Sequence, residues 1–273
     1  MKLNFTKMHG LGNDFIVLDA VKKDIPNVAK LVKKLSDRRF GIGFDQALIL
    51  KASKKADFRM DIYNGDGGRV EMCGNGIRCM AAYIWARKLS RKTRLDIETL
   101  AGIIRPEKAK ELVKVDMGEP ILEGKQIPTI VEGQIVDRPL AVNDRTFDIT
   151  CVSMGNPHCV IFVDEVDKYP VTKYGPVIEV NKFFPKKTNV EFIEVVNRKK
   201  IKMRVWERGA GETLACGTGA SASAVASMIK GLTDRKITVA LKGGNLTIEW
   251  SKDDNHVYMT GPAEEVFAGT VEI

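Results

Sequence analysis

Apolar positions along the chain fall in short runs separated by glycine and polar clusters, the rhythm of strands broken by a few helices. Lys7-Met8-His9-Gly10-Leu11-Gly12-Asn13-Asp14 runs into Phe15-Ile16-Val17-Leu18, a pattern that predicts a glycine-rich turn feeding a buried strand, with Asn13 at its entrance. After Pro26, the i, i+3, i+4 spacing of Val28, Leu31, Val32 and Leu35 predicts an amphipathic helix laid on a sheet. Gly41-Ile42-Gly43-Phe44-Asp45-Gln46 reads as a loop leading to Ala47-Leu48-Ile49-Leu50, a strand too short to be a helix. Phe58-Arg59-Met60-Asp61-Ile62-Tyr63 alternates as a strand and ends in Asn64-Gly65-Asp66-Gly67-Gly68. From Gly74 onward, Ile77, Met80, Ala81, Ile84, Trp85 and Leu89 form a broad apolar stripe, which predicts a largely buried helix. Short strands are expected around 93–98, 102–105 and 112–117.

The pattern then repeats. At an offset of 143 residues (216 minus 73), Met72-Cys73-Gly74-Asn75-Gly76-Ile77-Arg78-Cys79 meets Ala215-Cys216-Gly217-Thr218-Gly219-Ala220. The same ungapped offset puts Gly12-Asn13 on Gly155-Asn156, Gln46 on Asn189, Asn64 on Glu207 and Gly118 on Gly261. It also puts Met60-Asp61-Ile62-Tyr63 on Met203-Arg204-Val205-Trp206. A domain-sized period indicates a duplicated fold and not a solenoid. The repeats run over about 1–118 and 144–261. The Pro- and Gly-richer stretch 119–143 has no partner and makes the crossover. Strands are expected at 159–163, 190–195, 202–206, 236–241, 245–250 and 256–260. The tail, Val266 to Ile273, is free to return and pair with the first domain. The fold class is α/β, two pseudo-symmetric domains (1–118 with the returning strand 262–273, and 119–261). Each presents a cysteine at a helix start, and the two thiols are expected to face each other across a cleft.

Composition narrows the function. Of 273 residues, 44% are hydrophobic, ample for two cores. Net charge is +8 from 43 Lys and Arg against 35 Asp and Glu. The basic residues are scattered in short runs such as Arg198-Lys199-Lys200, which implies a solvated basic surface and no nucleic-acid site. Polar residues interrupt the N-terminus, and no stretch approaches the ~18–20 apolar residues of a membrane span, so a cytosolic protein without a membrane anchor is expected. Cysteines 73, 79, 151, 159 and 216 form no CxxC pair and no zinc spacing, so thiol chemistry is expected. Cys79, Cys151 and Cys159 read as small core hydrophobes. His9 and His256 carry no assignment.

A helix N-terminus has amides without intrahelical acceptors and partial positive charge. A cysteine there is expected to have a lowered pKa, and flanking glycines let a ligand approach the backbone. Two such ends could hold a carboxylate and place a sulfur on either side of its α-carbon. One thiolate would remove the α-proton and the other thiol would return one to the opposite face. The like charges of two thiolates favour one charged and one neutral sulfur. His158 and Glu207 are candidates to tune or shuttle that proton. Arg208, eight residues before Cys216, could hold a second carboxylate bidentately.

These residues resemble the diaminopimelate epimerase family over essentially the whole chain. The matching stretches are Lys7 to Phe15, Asn64-Gly65-Asp66-Gly67, Cys73-Gly74-Asn75-Gly76-Ile77-Arg78, Gly155-Asn156-Pro157-His158 and Glu207 through Gly219. Gly68 stands where the family usually has serine. The resemblance implies interconversion of LL- and meso-diaminopimelate, in lysine and cell-wall biosynthesis, without pyridoxal phosphate or metal. It implies Cys73 and Cys216 as the acid/base pair, with His158 and Glu207 influencing the thiols. Substrate contacts carry over to Asn13, Gln46, Asn64, Gly74, Asn75, Asn156, Asn189, Glu207, Arg208, Gly217 and Thr218. The implied fold wraps a mixed, mostly antiparallel sheet around a central helix in each domain, and the implied assembly is a homodimer.

Two other readings are open. A proline racemase-like enzyme also uses two CGxG cysteines but needs no distal pocket of Asn64, Asn189, Glu207 and Arg208. A thiol redox protein or amino-acid-binding module would exchange no solvent deuterium into an amino acid.

Overall fold

A computed structural model describes residues 2–71 and 73–272. Met72, at the head of the first cysteine stretch, and Ile273, the last residue of the returning tail, lie outside the described residues. The elements run β1 (Lys2–Gly10), β2 (Asn13–Asp19), α1 (Val28–Leu35), β3 (Gln46–Lys51), β4 (Phe58–Asn64), β5 (Arg69–Val70), α2 (Gly74–Ala86), β6 (Ile97–Thr99), β7 (Gly102–Ile104), β8 (Glu107–Ala109), β9 (Leu112–Asp116) and β10 (Arg138–Val142). They continue with β11 (Arg145–Ser153), β12 (Pro157–Phe162), α3 (Val171–Glu179), β13 (Asn189–Asn197), β14 (Lys200–Glu207), β15 (Gly211–Thr213), α4 (Gly217–Ile229), β16 (Lys236–Leu241), β17 (Gly244–Trp250), β18 (Val257–Gly261) and β19 (Glu264–Glu272). The chain divides into two compact units, Met1–Asp116 with Thr260–Ile273, and Met117–Met259. Adding 143 to the bounds of β1 gives those of β11, and adding it to α2 gives those of α4.

In the first unit the strands lie in the order β19-β1-β2-β3-β4-β6-β7, with β5 on β4. β19 pairs antiparallel with β1, from Lys2 opposite Glu272 to His9 opposite Glu264. β2 and β3 are parallel across the α1 crossover, and β4 and β6 are parallel across α2, so the sheet is mixed. It is buried on both faces, as a near-continuous apolar strand requires. Ile16, Leu18, Ala47 and Ile49 join Leu31, Val32 and Leu35 of α1 in one cluster. On the opposite side α2 packs against β1, β2 and β3.

The second unit repeats this plan in the order β10-β11-β12-β13-β14-β16-β17-β18, with β15 on β14. β12 and β13 are parallel across α3, and β14 and β16 across α4. One face carries Ile149, Cys151, Cys159, Ile161, Val190 and Phe192 with Val171, Tyr174 and Ile178 of α3. The other face closes on α4, whose small side chains let strands approach its backbone. Of its buried hydroxyls, Ser221 Oγ donates to Gly217 O at 3.0 Å and Ser227 Oγ to Ala224 O at 2.7 Å within the helix, while Ser223 Oγ donates to Met203 Sδ on β14 at 3.2 Å.

The structure corrects the reading in four places. Lys7 to Gly10 belong to β1, and the turn is confined to Leu11-Gly12. Buried Lys7 is stabilised within the strand by donating to Asp14 and to the Gly43 carbonyl. The α2 stripe stops early: Leu89 lies beyond the helix and is exposed, while Arg78, Cys79 and Tyr83 are buried instead. The strand expected at 93–98 is Ile97–Thr99. β10 lies inside the supposed crossover. Among the described residues no helix is long and apolar enough to cross a membrane.

Candidate active site

Cys73 and Cys216 are the N-cap residues of α2 and α4, in extended backbone conformations. Each sulfur accepts the amide of the residue three further on, Gly76 N and Gly219 N respectively, both at 3.4 Å. A side-chain acceptor for an otherwise unpartnered amide is what an N-cap supplies, here from sulfur. The glycines at these positions let each sulfur close on its amide: a β-carbon on Gly76 would lie 3.5 Å from Cys73 Sγ, an ordinary contact, and one on Gly219 3.3 Å from Cys216 Sγ, a tight one.

In the first unit Asn13, Cys73 and Asn75 come together. Asn13 Oδ1 accepts from Asn75 Nδ2 at 3.2 Å and from the Cys73 thiol at 3.9 Å, while Asn13 Nδ2 donates to Asp45 Oδ2 at 2.8 Å. Gln46 and Asn64 face each other across β3 and β4, joined by Gln46 Nε2 to Asn64 Oδ1 at 2.8 Å. Gln46 Oε1 is buried without a hydrogen-bond partner among the described residues. Arg78, wholly buried, donates to Asn75 Oδ1 at 3.0 Å, to Gly74 O at 3.3 Å and to Pro262 O at 3.1 Å, which fixes the first turn of α2.

In the second unit one hydrogen-bonded chain reaches Cys216. His158 Nε2 meets Asn156 Oδ1 at 3.0 Å, Asn156 Nδ2 donates to Thr218 Oγ1 at 3.3 Å, and Thr218 Oγ1 lies 3.5 Å from Cys216 Sγ. Asn189 is buried and bonds two loops, its Nδ2 donating to Pro157 O and its Oδ1 accepting Arg208 N, both at 2.9 Å. Glu207, at the end of β14, accepts the Thr213 hydroxyl. Arg208 is exposed, and its guanidinium donates to Lys186 O at 3.1 Å. Gly74 and Gly217 open α2 and α4.

The two cysteines differ in surroundings. Cys73 is half-buried, whereas Cys216 is only 6% exposed. Burial pushes the Cys216 thiol well above its ordinary value, the charges of Glu207 and Glu191 add to this, and the Thr218 hydroxyl and Gly219 amide oppose it. The lowered value expected of a cysteine at a helix start is therefore overturned at Cys216, because desolvation and two carboxylates outweigh the helix end. Burial likewise pushes Cys79 up to about 12, so it is an inert core thiol.

Two acidic residues of this region escaped the sequence reading. Glu191, on β13, lies 2.7 Å from His158 Nδ1 and is fully buried with it. Glu179, at the end of α3, accepts Gly209 N at 3.1 Å and the Trp206 indole at 2.8 Å, so it shapes the turn that carries Arg208. The offset of 143 would have exposed Glu191, since it sets this acid on Leu48 of a wholly apolar run.

The family model for diaminopimelate epimerase matches residues 5–123 and 150–266. A diaminopimelate epimerase of Methanococcus maripaludis is 50% identical over 277 residues, 99% of this chain and 100% of that one. One from Moorella thermoacetica is 53% identical over 274 residues, 98% of each chain. Among solved structures, a phenazine biosynthesis protein of the PhzF family from Bacillus anthracis superposes with a TM-score of 0.75 at 19% identity over 100% of both chains. A hydroxyproline epimerase from Agrobacterium vitis does so with a TM-score of 0.70 at 13% identity, covering 99% of this chain and 92% of that one. These two share the fold, an α/β architecture of two sheets, and the match over nearly the whole length to sequences about half identical decides the rest: the chain belongs to the diaminopimelate epimerase family.

Proposed function

We propose that this protein interconverts LL- and meso-diaminopimelate by inverting one α-carbon, with Cys73 and Cys216 as the two acid/base groups. The observation that carries the reading is the matched pair of cysteine N-caps, each held by the same sulfur-to-amide contact at 3.4 Å. One thiolate removes the α-proton, and the thiol of the other unit delivers a proton to the opposite face. An α-hydrogen lies roughly ten pK units above a thiol, about 14 kcal/mol. Amides at the α2 and α4 starts, including those of Gly74, Asn75, Gly217 and Thr218, would reduce that gap by donating to the enediolate, each worth about 3–4 kcal/mol.

Asn13, Asn156 and the two glycine loops would hold the reacting end, and Gln46, Asn64, Asn189 and Arg208 the distal end. Burial and, after it, the charge of Glu207 raise the Cys216 thiol. A substrate ammonium beside Glu207 would offset the second of these and so favour the thiolate. Domains of 1–118 with the returning strand and 119–261 would each contribute one thiol. Five cysteines outside disulfides fit a cytosolic enzyme, and the assembly we infer is a homodimer.

Incubation with LL-diaminopimelate in deuterated water tests the assignment. The wild type is expected to incorporate deuterium at one α-carbon while forming the meso isomer, and Cys73→Ser and Cys216→Ser to lose turnover by at least ~10³-fold. Undiminished turnover in both variants, or faster exchange into proline than into diaminopimelate, would overturn it.

A further inference from the structure

Glu191 and His158 occupy positions that are apolar in the first unit: subtracting 143 gives Leu48 and Phe15. All four side chains are completely buried. The paired strands match as well, with Phe15 opposite Gln46 on parallel β2 and β3, and His158 opposite Asn189 on parallel β12 and β13. Both sites lie behind a cysteine cap, since a β-carbon on Gly76 would meet Leu48 Cδ2 and one on Gly219 would meet Glu191 Oε1. A buried acid–imidazole pair fills that space at greater desolvation cost than two apolar side chains. Its role therefore lies outside packing.

The hydrogen bonds fix where its protons sit. Asn156 Nδ2 donates to Thr218, so Asn156 Oδ1 is the atom facing His158 Nε2 at 3.0 Å. A carbonyl oxygen only accepts, so Nε2 carries a hydrogen. The remaining proton is shared between His158 Nδ1 and Glu191 Oε1 at 2.7 Å, and without Glu191 nothing at that nitrogen selects the Nε2–H tautomer. Glu191 Oε2 has no hydrogen-bond partner among the described residues, so the acid is committed to the imidazole. The equivalent amide in the first unit is turned the other way. Asp45 accepts Asn13 Nδ2, which leaves Asn13 Oδ1 facing Cys73 and Asn75. The carbonyl beside Cys73 suits a thiol, and a donor chain ending at Thr218 suits a thiolate.

We propose that Glu191 is a positioning residue: it holds His158 with Nε2–H toward Asn156, and thereby turns the Asn156 amide so that its NH2 supports Thr218 beside Cys216. The two cysteine loops are made inequivalent by opposite anchors, Asp45 in the first unit and the Glu191–His158 pair in the second. This rests on Cys216 being one of the two acid/base groups. The ionisable groups facing the pair are Cys216, Glu207 and Cys159, the last hydrogen-bonded to Cys151.

The test compares Glu191→Gln, Glu191→Leu and the double variant Glu191→Leu/His158→Phe, which installs the first-unit filling and guards against loss of folding by an unpartnered imidazole. A glutamine amide can donate to Nδ1 and preserve the Nε2–H tautomer, whereas leucine cannot. Expected are a loss of kcat of ~100-fold or more in both leucine variants, recovery of at least ~10-fold of that loss in Glu191→Gln, and KM within ~3-fold throughout. In parallel, the nitrogen NMR signals of His158 and the pH midpoint of Cys216 alkylation, measured in a Cys73→Ser background, should move in Glu191→Leu and stay near wild type in Glu191→Gln. Wild-type kcat in the leucine variants, or Gln no better than Leu in either measurement, would overturn the proposal. Should the wild type fail to epimerise diaminopimelate, the assigned reaction falls, while the NMR and alkylation results still decide the role of Glu191.

Discussion

Gly219 yields its side-chain space to Glu191: a β-carbon there would lie 2.7 Å from the buried Glu191 Oε1. At the matching position in the first unit, a β-carbon on Gly76 would lie 3.1 Å from Leu48 Cδ2. A methyl at the end of a leucine can shift by a few tenths of an ångström, but a carboxylate tied to His158 can move only by lengthening that bond. Gly→Ala in a helix also gains about 0.5–1 kcal/mol of backbone entropy. Gly76→Ala should therefore leave stability within about 1 kcal/mol of wild type, and Gly219→Ala should cost about 2–3 kcal/mol. Urea midpoints read this directly; equal midpoints would show that Glu191 is not fixed.

Asp14 anchors the loop behind Asn13. It receives Arg38 through both carboxylate oxygens at 2.8 and 2.9 Å, Lys7 at 2.6 Å and Asp45 N at 2.9 Å. Burial raises its carboxyl, but the hydrogen bonds and charges of Arg38 and Lys7 outweigh this and hold it at about 2, below the ordinary 3.8. As pH falls the unfolded chain takes up this proton first, so the stabilisation is complete above about pH 4 and lost as pH falls through about 2. It amounts to roughly 2 kcal/mol. Asp14→Asn should be less stable by about that amount at pH 6, with the difference shrinking from pH 4 toward pH 2 in denaturant titrations. Its KM for diaminopimelate should also rise, because Asp45, which holds Asn13, loses its own support.

Glu179 ties the turn after β14 to the end of α3 through Gly209 N and the Trp206 indole. Removing the carboxylate leaves both donors without their acceptor at a mostly buried site, a cost of about 2–3 kcal/mol. Glu179→Ala should lower the melting temperature and raise KM by about 10-fold, through a loosened Arg208, with a smaller change in kcat. Unaltered KM in a destabilised variant would separate the turn from the substrate.

What was legible in the chain follows from how each residue is used. The cysteine loops, Asn13, Asn156, Gln46 and Asn189 recur at one offset because both units need them in the same places. β1 was hidden because its inward Lys7 looks like a surface residue until Asp14 and Gly43 are brought beside it. α3 was hidden by Gly175-Pro176, a pair that reads as a break. The glycine is needed because a β-carbon would lie 2.6 Å from Trp206 Cβ, and the proline is accommodated inside the helix. Glu191 was hidden because one acid in Val190-Glu191-Phe192-Ile193 resembles an outward strand position. Its offset partner, Leu48 of an apolar run, is the one sign in the sequence that it faces inward, and its neighbour His158 on the inner face shows why.

Arg208, which we propose holds the substrate, and Cys79, a buried core thiol, can be told apart by experiment. Arg208 is exposed at the end of β14, and its backbone amide is fixed by Asn189 while its guanidinium, among the described residues, donates to the Lys186 carbonyl. A guanidinium so placed can turn to take a carboxylate through two parallel hydrogen bonds, worth about 1.5–3 kcal/mol. Cys79 sits in the middle of α2, fully buried, with its thiol pushed by burial to about 12. Its sulfur is a packing atom, and Cys79→Ala leaves a small cavity worth about 1 kcal/mol. Arg208→Ala should therefore lower kcat/KM for diaminopimelate by about 10- to 100-fold at unchanged melting temperature. Cys79→Ala should do the reverse, lowering the melting temperature by a few degrees with kinetics near wild type. Equal kinetic losses in the two variants would remove Arg208 from the substrate site, and with it the physical basis for preferring a dicarboxylic diamine over proline.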